Sequence, residues 1–297
     1  MGTDPTSFHK IYVVATPIGH LDDLTLRAQE TLRSVQVIAA EDTRVSRPLL
    51  ERIGTSARLI AVHEHNEAAA VEQLAAILLR EDVALICDAG TPAISDPGSR
   101  LIAGLAALGI EAVPIPGPSA VTALMSVAGL GDGRFRFEGF LPARTKARQD
   151  RMRHLARTEV TLVFFESPHR IEEFAADLAV CIEAEREIVI GRELTKRFEQ
   201  IKRLKVGEFI AWVAQDSNHQ RGEFVIALAP YLAPNVVEGE VAPSDLASIG
   251  ALSIDPRALL DALSEGLPPS KAAKWAGKLS GRKDIDWYTL ASNHKRL

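Results

Sequence analysis

The sequence predicts a two-domain α/β protein. A largely parallel sheet is expected in an N-terminal domain over residues 10–128, a mixed sheet in a second domain over residues 134–232, and a small helical module over residues 255–292. Three observations carry this expectation. Short apolar runs rich in β-branched residues alternate with helical stretches in the first half, the signature of parallel strands buried on both faces. Gly129, Gly131 and Gly133 then interrupt the pattern, and a second α/β series follows. The segment 233–254 has no period and reads as a linker.

The strands follow from local composition. Ile11 to Ala15, Val35 to Ala40, Leu59 to Val62, Val83 to Cys87 and Ala112 to Ile115 are short apolar runs, each ended by polar residues, Gly or Pro. Between them Thr25 opens a helical pattern, and Ala68 to Leu79, Pro97 to Leu108 and Ala120 to Ala128 are rich in Ala and Leu. In the second half, a charged helix over Gln149 to Arg157 precedes a strand over Val160 to Phe165. A helix over Ile171 to Val180 and strands at Glu187 to Gly191 and Gly222 to Ala229 complete the series. Helices at Pro256 to Leu263, Ser270 to Leu279 and Asp284 to Ser292 make the tail, compatible with a helix-turn-helix module or a simple helical cap.

Bulk properties exclude several classes. The length of 297 residues suits about two domains, and the balance of 46% hydrophobic and 25% charged residues supports a sizeable core. Cys87 and Cys181 each sit inside an apolar run and read as reduced, buried thiols. The polar segment Met1 to Lys10 is not a signal peptide, and no apolar run is long enough to span a bilayer, so a cytoplasmic protein with no membrane partner is expected. The net charge of −5 weighs against nucleic acid, but Arg134 to Arg157 concentrates eight Lys and Arg against Glu138 and Asp150. By itself this stretch fits a solvated helix face and a phosphate grip equally well.

Familiar chemical motifs are missing. The chain has no phosphate-binding G-x-x-x-x-G-K-[ST] loop, no dinucleotide G-x-G-x-x-G after a first strand, and no G-x-S-x-G nucleophile elbow. His63-Glu64-His65 lacks the spacing that puts two imidazoles on one helical face, and no third ligand is evident, so no metal is expected. The chemistry must therefore lie in the strand-end loops, which in α/β sheets line the ligand crevice.

Those loops are Ala15-Thr16-Pro17-Ile18-Gly19, Glu41-Asp42-Thr43-Arg44, Asp88 through Gly98, Pro116-Gly117-Pro118-Ser119-Ala120 and Gly139-Phe140-Leu141-Pro142. Phe165-Glu166-Ser167-Pro168-His169-Arg170, Arg192-Glu193-Leu194-Thr195-Lys196 and Gly222-Glu223-Phe224 follow in the second half. In this order they closely resemble the 16S ribosomal RNA cytidine 2′-O-methyltransferase family, a branch of the tetrapyrrole methylase superfamily. The resemblance extends over about residues 10 to 292.

The resemblance implies a tetrapyrrole-methylase-like fold with S-adenosyl-L-methionine in the cleft between the domains. It also implies a homodimer, and an acceptor ribose in the decoding region of 16S rRNA within the 30S subunit. Carried over by position, cofactor contacts fall on Pro17, Ala89, Gly90, Thr91, Ser95, Ser119 and Ala120 from the first domain. Phe165, Glu166, Leu194, Glu223 and Phe224 contribute from the second.

Removing the acceptor's proton calls for a base or a nearby cation. Glu41, Asp42 and Arg44 form one candidate cluster, Glu166 and His169 with Arg170 another, and Lys196 stands in a third loop. Glu41 with Arg44, and Glu166 with Arg170, are also readable as ion pairs that cap their loops. In this context the basic stretch gains an rRNA role, with Arg144, Lys146, Arg148 and Arg151 as the expected RNA contacts. Two other readings share the fold: a methylase of a small tetrapyrrole-like substrate, and a ribosome-binding module without turnover.

Overall fold

The computed structural model describes residues 8–63, 66–95, 97–232, 259–260, 263–264, 267–280 and 286–289. The chain divides into two compact units, Met1–Ala233 and Pro234–Leu297.

The first unit opens with β1 (Ile11–Val14), α1 (Leu26–Ser34), β2 (Val37–Ala40), α2 (Thr43–Ile53) and β3 (Arg58–Ala61). It continues with α3 (Glu67–Leu78), β4 (Val83–Ile86), α4 (Ser99–Ala107), β5 (Ala112–Ile115) and α5 (Ala120–Ala128). The strands form one parallel sheet in the order β3-β2-β4-β1-β5. Because side chains alternate across a strand, each strand feeds two cores. Ile11, Val37, Ala39, Val83 and Leu85 pack against Leu74 and Leu78 of α3 and Leu101 and Leu105 of α4. Val14, Ile38, Ala40, Ala84 and Ile86 pack on the other face against Ala28 and Leu32 of α1 and Leu50 and Ile53 of α2. Helix α1 starts at Thr25, whose hydroxyl accepts from the Ala28 backbone N–H at 3.1 Å. Thr25→Ala should cost about 1 kcal/mol of stability, read as a lower urea midpoint with an unchanged slope.

The second half of this unit contains β6 (Phe135–Phe140), α6 (Thr145–Leu155), β7 (Thr161–Glu166), α7 (Ile171–Cys181) and β8 (Glu187–Arg192). β9 (Gln200–Lys205), α8 (Val206–Gln215) and β10 (Phe224–Leu228) follow. Their sheet runs β6-β7-β10-β8-β9 and is mixed: β6 and β7 are parallel, while the other three pairings are antiparallel. Met152, Phe174, Leu178 and Phe209 on α6, α7 and α8 cover one face. The other face, with Val163, Val189 and Val225, packs against Val121, Leu124 and Ala128 of α5. Helix α5 thus follows the first sheet in the chain and packs on the second.

β6, β9, α2 and α8 are absent from the expectation drawn from sequence. Strand β9, Gln-Ile-Lys-Arg-Leu-Lys, is a polar edge strand with alternating exposure, so it has no apolar run to announce it. Helix α2 carries Pro48 inside it, a residue that ordinarily marks a helix end. Cys87 is buried and Cys181 half-buried.

In the second unit, α9 (Pro269–Ser280) presents Ala272, Ala273 and Ala276, which pack with Leu260 and Trp287. The expected linker 233–254 lies outside the described residues. So do most of the helices expected at Pro256 to Leu263 and Asp284 to Ser292.

Candidate functional site

In the first sheet, β1 and β4 are neighbours, yet the chain leaves β1 toward β2 and leaves β4 toward β5. The helices that follow, α1 and α4, pack on opposite faces of the sheet, so the two loops part toward those faces and open a crevice at the strands' C-terminal ends. A two-hydrogen-bond bridge closes its floor. Thr16 N–H donates to the Gly90 carbonyl at 2.8 Å, and Gly90 N–H donates to the Thr16 carbonyl at 3.1 Å. Gly90 has φ of +81°, a conformation that side chains resist. The Thr91 hydroxyl donates to the Pro118 carbonyl at 3.2 Å, tying the loop after β4 to the loop after β5.

Over this crevice lies a cavity of about 360 Å³, in the size range of small-molecule sites. Of the residues expected to hold a cofactor, Ala89, Gly90, Thr91, Ser119 and Ala120 line it from the first sheet. Phe165, Glu166, Leu194, Glu223 and Phe224 line it from the second. Pro17 and Ser95 do not, although their loop neighbours Ile18 and Ile94 do. Phe140, Gly191 and Val225 also line it and were not expected from sequence. Phe140 lies in a loop motif that carried no assigned role. Asp96 lies outside the described residues.

The candidate catalytic groups separate sharply. Glu41, Asp42, Arg44 and His169 do not line the cavity. Asp42 is the N-cap of α2, and its carboxylate accepts from the Arg44 backbone at 2.8 Å and from its guanidinium at 2.6 Å. Those hydrogen bonds hold the Asp42 carboxyl down at about 2. The pair fastens a helix start. Glu41 sits beside the Asp88 backbone N–H, at 3.5 Å, and His169 is exposed.

Glu166 lines the cavity, but its side chain is 0% exposed. It accepts from the Ser167 N–H at 2.8 Å and lies 3.3 Å from the Arg170 guanidinium. Burial pushes its carboxyl above the ordinary carboxylate range, against the pull of the Ser167 hydrogen bond and the Arg170 charge. Its geometry is that of a group that sets the loop after β7.

Lys196 remains. It lines the cavity with a side chain 30% exposed, and its ammonium donates to Glu193 at 3.0 Å and Glu223 at 2.9 Å. Burial pulls the ammonium down, and the two carboxylates more than reverse this, so Lys196 is held above the usual lysine range. Burial pushes the Glu193 carboxyl up, but the Glu223 N–H and the Lys196 ammonium both donate to it and hold it below the usual range. The loop that presents Lys196 is strained, since Glu193 and Thr195 adopt φ of +52° and +63°. It is secured across the cleft, where His20 N–H donates to the Thr195 hydroxyl at 3.0 Å.

The basic stretch also divides. Arg144 and Lys146 are exposed and form no ion pair among the described residues. Arg148 corrects the expectation of an RNA contact. Its side chain is 0% exposed and donates to Asp177 at 2.6 Å, Glu173 at 3.0 Å and the Ala143 carbonyl at 3.1 Å. It is a core residue that joins α6 to α7. Arg151 is likewise engaged, with Glu138 at 2.6 Å. Among the described residues no group of three or more His, Cys, Asp or Glu is placed to hold a metal ion, and His65 lies outside them.

Comparison with known proteins places this architecture. Residues 10–210 match the family model of tetrapyrrole (corrin/porphyrin) methylases. A ribosomal RNA small subunit methyltransferase I of Pseudomonas aeruginosa is 47% identical over 280 residues, 93% of this chain and 94% of that one. Its counterpart from Xylella fastidiosa is 46% identical over 272 residues, 91% of this chain and 94% of that one. Among solved structures, cobalt precorrin-4 methyltransferase superposes with a TM-score of 0.55 at 16% identity, covering 73% of this chain and 94% of its own. Uroporphyrin-III C-methyl transferase from Thermus thermophilus, complexed with S-adenyl homocysteine, gives 0.54 at 17% identity, covering 74% and 97%. These last two likenesses speak to the fold.

Proposed function

From the premise that the chain belongs to the tetrapyrrole methylase family and, within it, to the small-subunit ribosomal RNA methyltransferases I, we infer that it methylates 16S rRNA. The acceptor is a cytidine ribose 2′-hydroxyl in the decoding region, presented by the 30S subunit, and the cofactor is S-adenosyl-L-methionine. The observation that carries the reading is convergence. Ala89 to Thr91, Ser119 and Ala120, Phe165 and Glu166, Leu194, and Glu223 and Phe224 come from five separate segments and line one cavity.

The residues present fit the cofactor. Small residues at 89, 90, 119 and 120 leave the backbone approachable, and α5 begins at the cavity wall with no side-chain cap from Ser119. A free helix start of this kind suits a carboxylate. Ile18, Phe165, Leu194 and Val225 offer apolar surface, and the exposed Glu223 carboxylate offers an acceptor for hydroxyl or amino groups. When bound, the cofactor supplies an electrophilic methyl group on a sulfonium.

The protein's own task is to align the acceptor oxygen, exclude water and stabilise charge as the hydroxyl loses its proton. Lys196 is placed for the last of these, as a cation held charged beside the cavity. Arg144 and Lys146 give an exposed cationic approach for phosphates. The Arg144→Ala/Lys146→Ala double variant should weaken 30S binding and flatten its log–log salt slope by about 1 to 2. An unchanged slope would leave these residues as a solvated helix end.

The working form is a homodimer, which sedimentation would check. The acceptor sets the compartment as the cytoplasm. Among the described residues no helix is long and apolar enough to cross a membrane. The decisive experiment is transfer of labelled methyl to 30S subunits, free 16S RNA and a porphyrinoid panel. Label on a decoding-region ribose is expected. Label on a porphyrinoid alone would replace the reading with a small-molecule methylase, and cofactor binding without transfer to any acceptor would favour a module without turnover.

A further inference from the structure

Strand β6 does not run evenly beside β7. Phe137 pairs with Val163, and Gly139 pairs with Phe164, so Glu138 is an extra residue without a partner. Such a bulge changes which face the following side chains take. In an unbroken register Phe140 would share a face with Phe164, which belongs to the core under α6 and α7. With the bulge, Phe140 pairs with Phe165 and shares the face of Phe137, Val163 and Phe165. That face fronts the cavity.

The bulge is held in place. Gly139 takes φ of +64°, open to glycine at little cost. The Glu138 side chain is buried, with the Arg151 guanidinium at 2.6 Å and that of Arg136 also paired to it. Two arginines in a basic stretch are thus spent on fixing where one phenylalanine points.

That phenylalanine stands at the mouth. Phe140 lines the cavity and is 51% exposed, and Ile94, also in the lining, is 47% exposed. Phe165 supports it edge-on at 5.7 Å between centroids, and Phe137 supports Phe165 at 4.9 Å. A braced aromatic ring left open at a cavity mouth is a surface for a flat ring to stack on. An acceptor ribose can reach a buried donor only if its nucleotide leaves the neighbouring stack, and its base then needs a new apolar face.

We propose that Phe140, aimed by the Glu138 bulge, is the stacking platform for the nucleobase of the acceptor nucleotide. This rests on the rRNA methylation reading and adds a base-binding subsite to it. Arg151 and Glu138 are positioning residues for that subsite.

The test compares Phe140→Ala, Phe140→Leu and Phe140→Tyr with the wild type in the full chain. Three quantities are read: kcat/KM for methyl transfer to 30S subunits, the dissociation constant for S-adenosylmethionine by calorimetry, and oligomeric state by sedimentation. Ala and Leu should lower kcat/KM about ten- to a hundredfold, the range of a lost base–aromatic stack. Tyr, which restores the ring, should stay within about threefold of wild type. Cofactor affinity and oligomeric state should not change. Equal transfer by all four proteins overturns the platform alone. So does a loss of cofactor affinity that matches the loss of rate, because the ring would then serve the adenine. Dissociation of the oligomer by Phe140→Ala would assign the ring to an interface between copies. No transfer by the wild type overturns the rRNA reading and the platform with it.

Discussion

Arg148→Ala should unfold at a much lower urea concentration than the wild type, with a loss of about 3–5 kcal/mol. Arg148 is fully buried, and its removal strands the Asp177 carboxylate, whose side chain is 7% exposed, between α6 and α7. Gln149 donates to that carboxylate at 2.7 Å but brings no charge. An unpaired buried carboxylate is far costlier than a lost surface contact. The same substitution should leave the salt slope of 30S binding unchanged once measured well below the unfolding temperature. A flattened slope with unaltered stability would return Arg148 to the RNA surface and contradict its burial.

Lys196→Ala should lower kcat for methyl transfer by about a hundred- to a thousandfold, the range seen when a preorganised stabiliser of developing charge is removed. S-adenosylmethionine affinity should change little. If affinity falls in step with rate, Lys196 belongs to the cofactor's site and another group assists the acceptor. The pH profile gives a second reading. Glu223 and Glu193 hold the Lys196 ammonium above the usual lysine range, so it stays charged as pH rises through neutrality and beyond. Its contribution is lost only as pH passes that raised value. An alkaline fall in rate below about pH 10 would therefore arise from a different group.

The parts of this molecule that could be read from sequence share a physical cause. β2, β4, β7, β8 and β10 are covered along almost their whole length, so their burial is written as apolar runs. β9 is a sheet edge and is written in lysine and arginine. Much of the cavity's lining was legible because it lies at strand ends, where the position in the chain fixes the place in the fold. Side-chain roles were less legible. Glu166 and Lys196 look alike as charged residues in strand-end loops, and only their partners distinguish a covered carboxylate from an accessible ammonium.

The basic stretch had a usable signal that its composition hid. Arg148, Met152 and Leu155 are spaced by four and three residues, so they fall on one helical stripe, and that stripe is the buried face of α6. Charge summed over 24 positions says nothing about which arginine turns inward. The partner, Asp177, lies on another helix, and no local pattern announces it. The bulge in β6 is similar: Gly139 allows it, but the side-chain direction it gives Phe140 depends on pairing with β7.

The order β3-β2-β4-β1-β5 also bears on how the chain is made. β1 lies at the interior of its sheet, between β4 and β5, and neither neighbour is synthesised until long after it. Its first partner residue is Val83, opposite Ile11. At roughly 5–20 residues per second, the nascent Ile11–Val14 segment waits about 4 to 14 seconds for a strand to pair with. β2 and β3, adjacent in both sequence and sheet, have no such delay. The apolar N-terminal strand is thus the part of the growing polypeptide most in need of shelter, and a ribosome stalled before β4 would present it to chaperones and proteases.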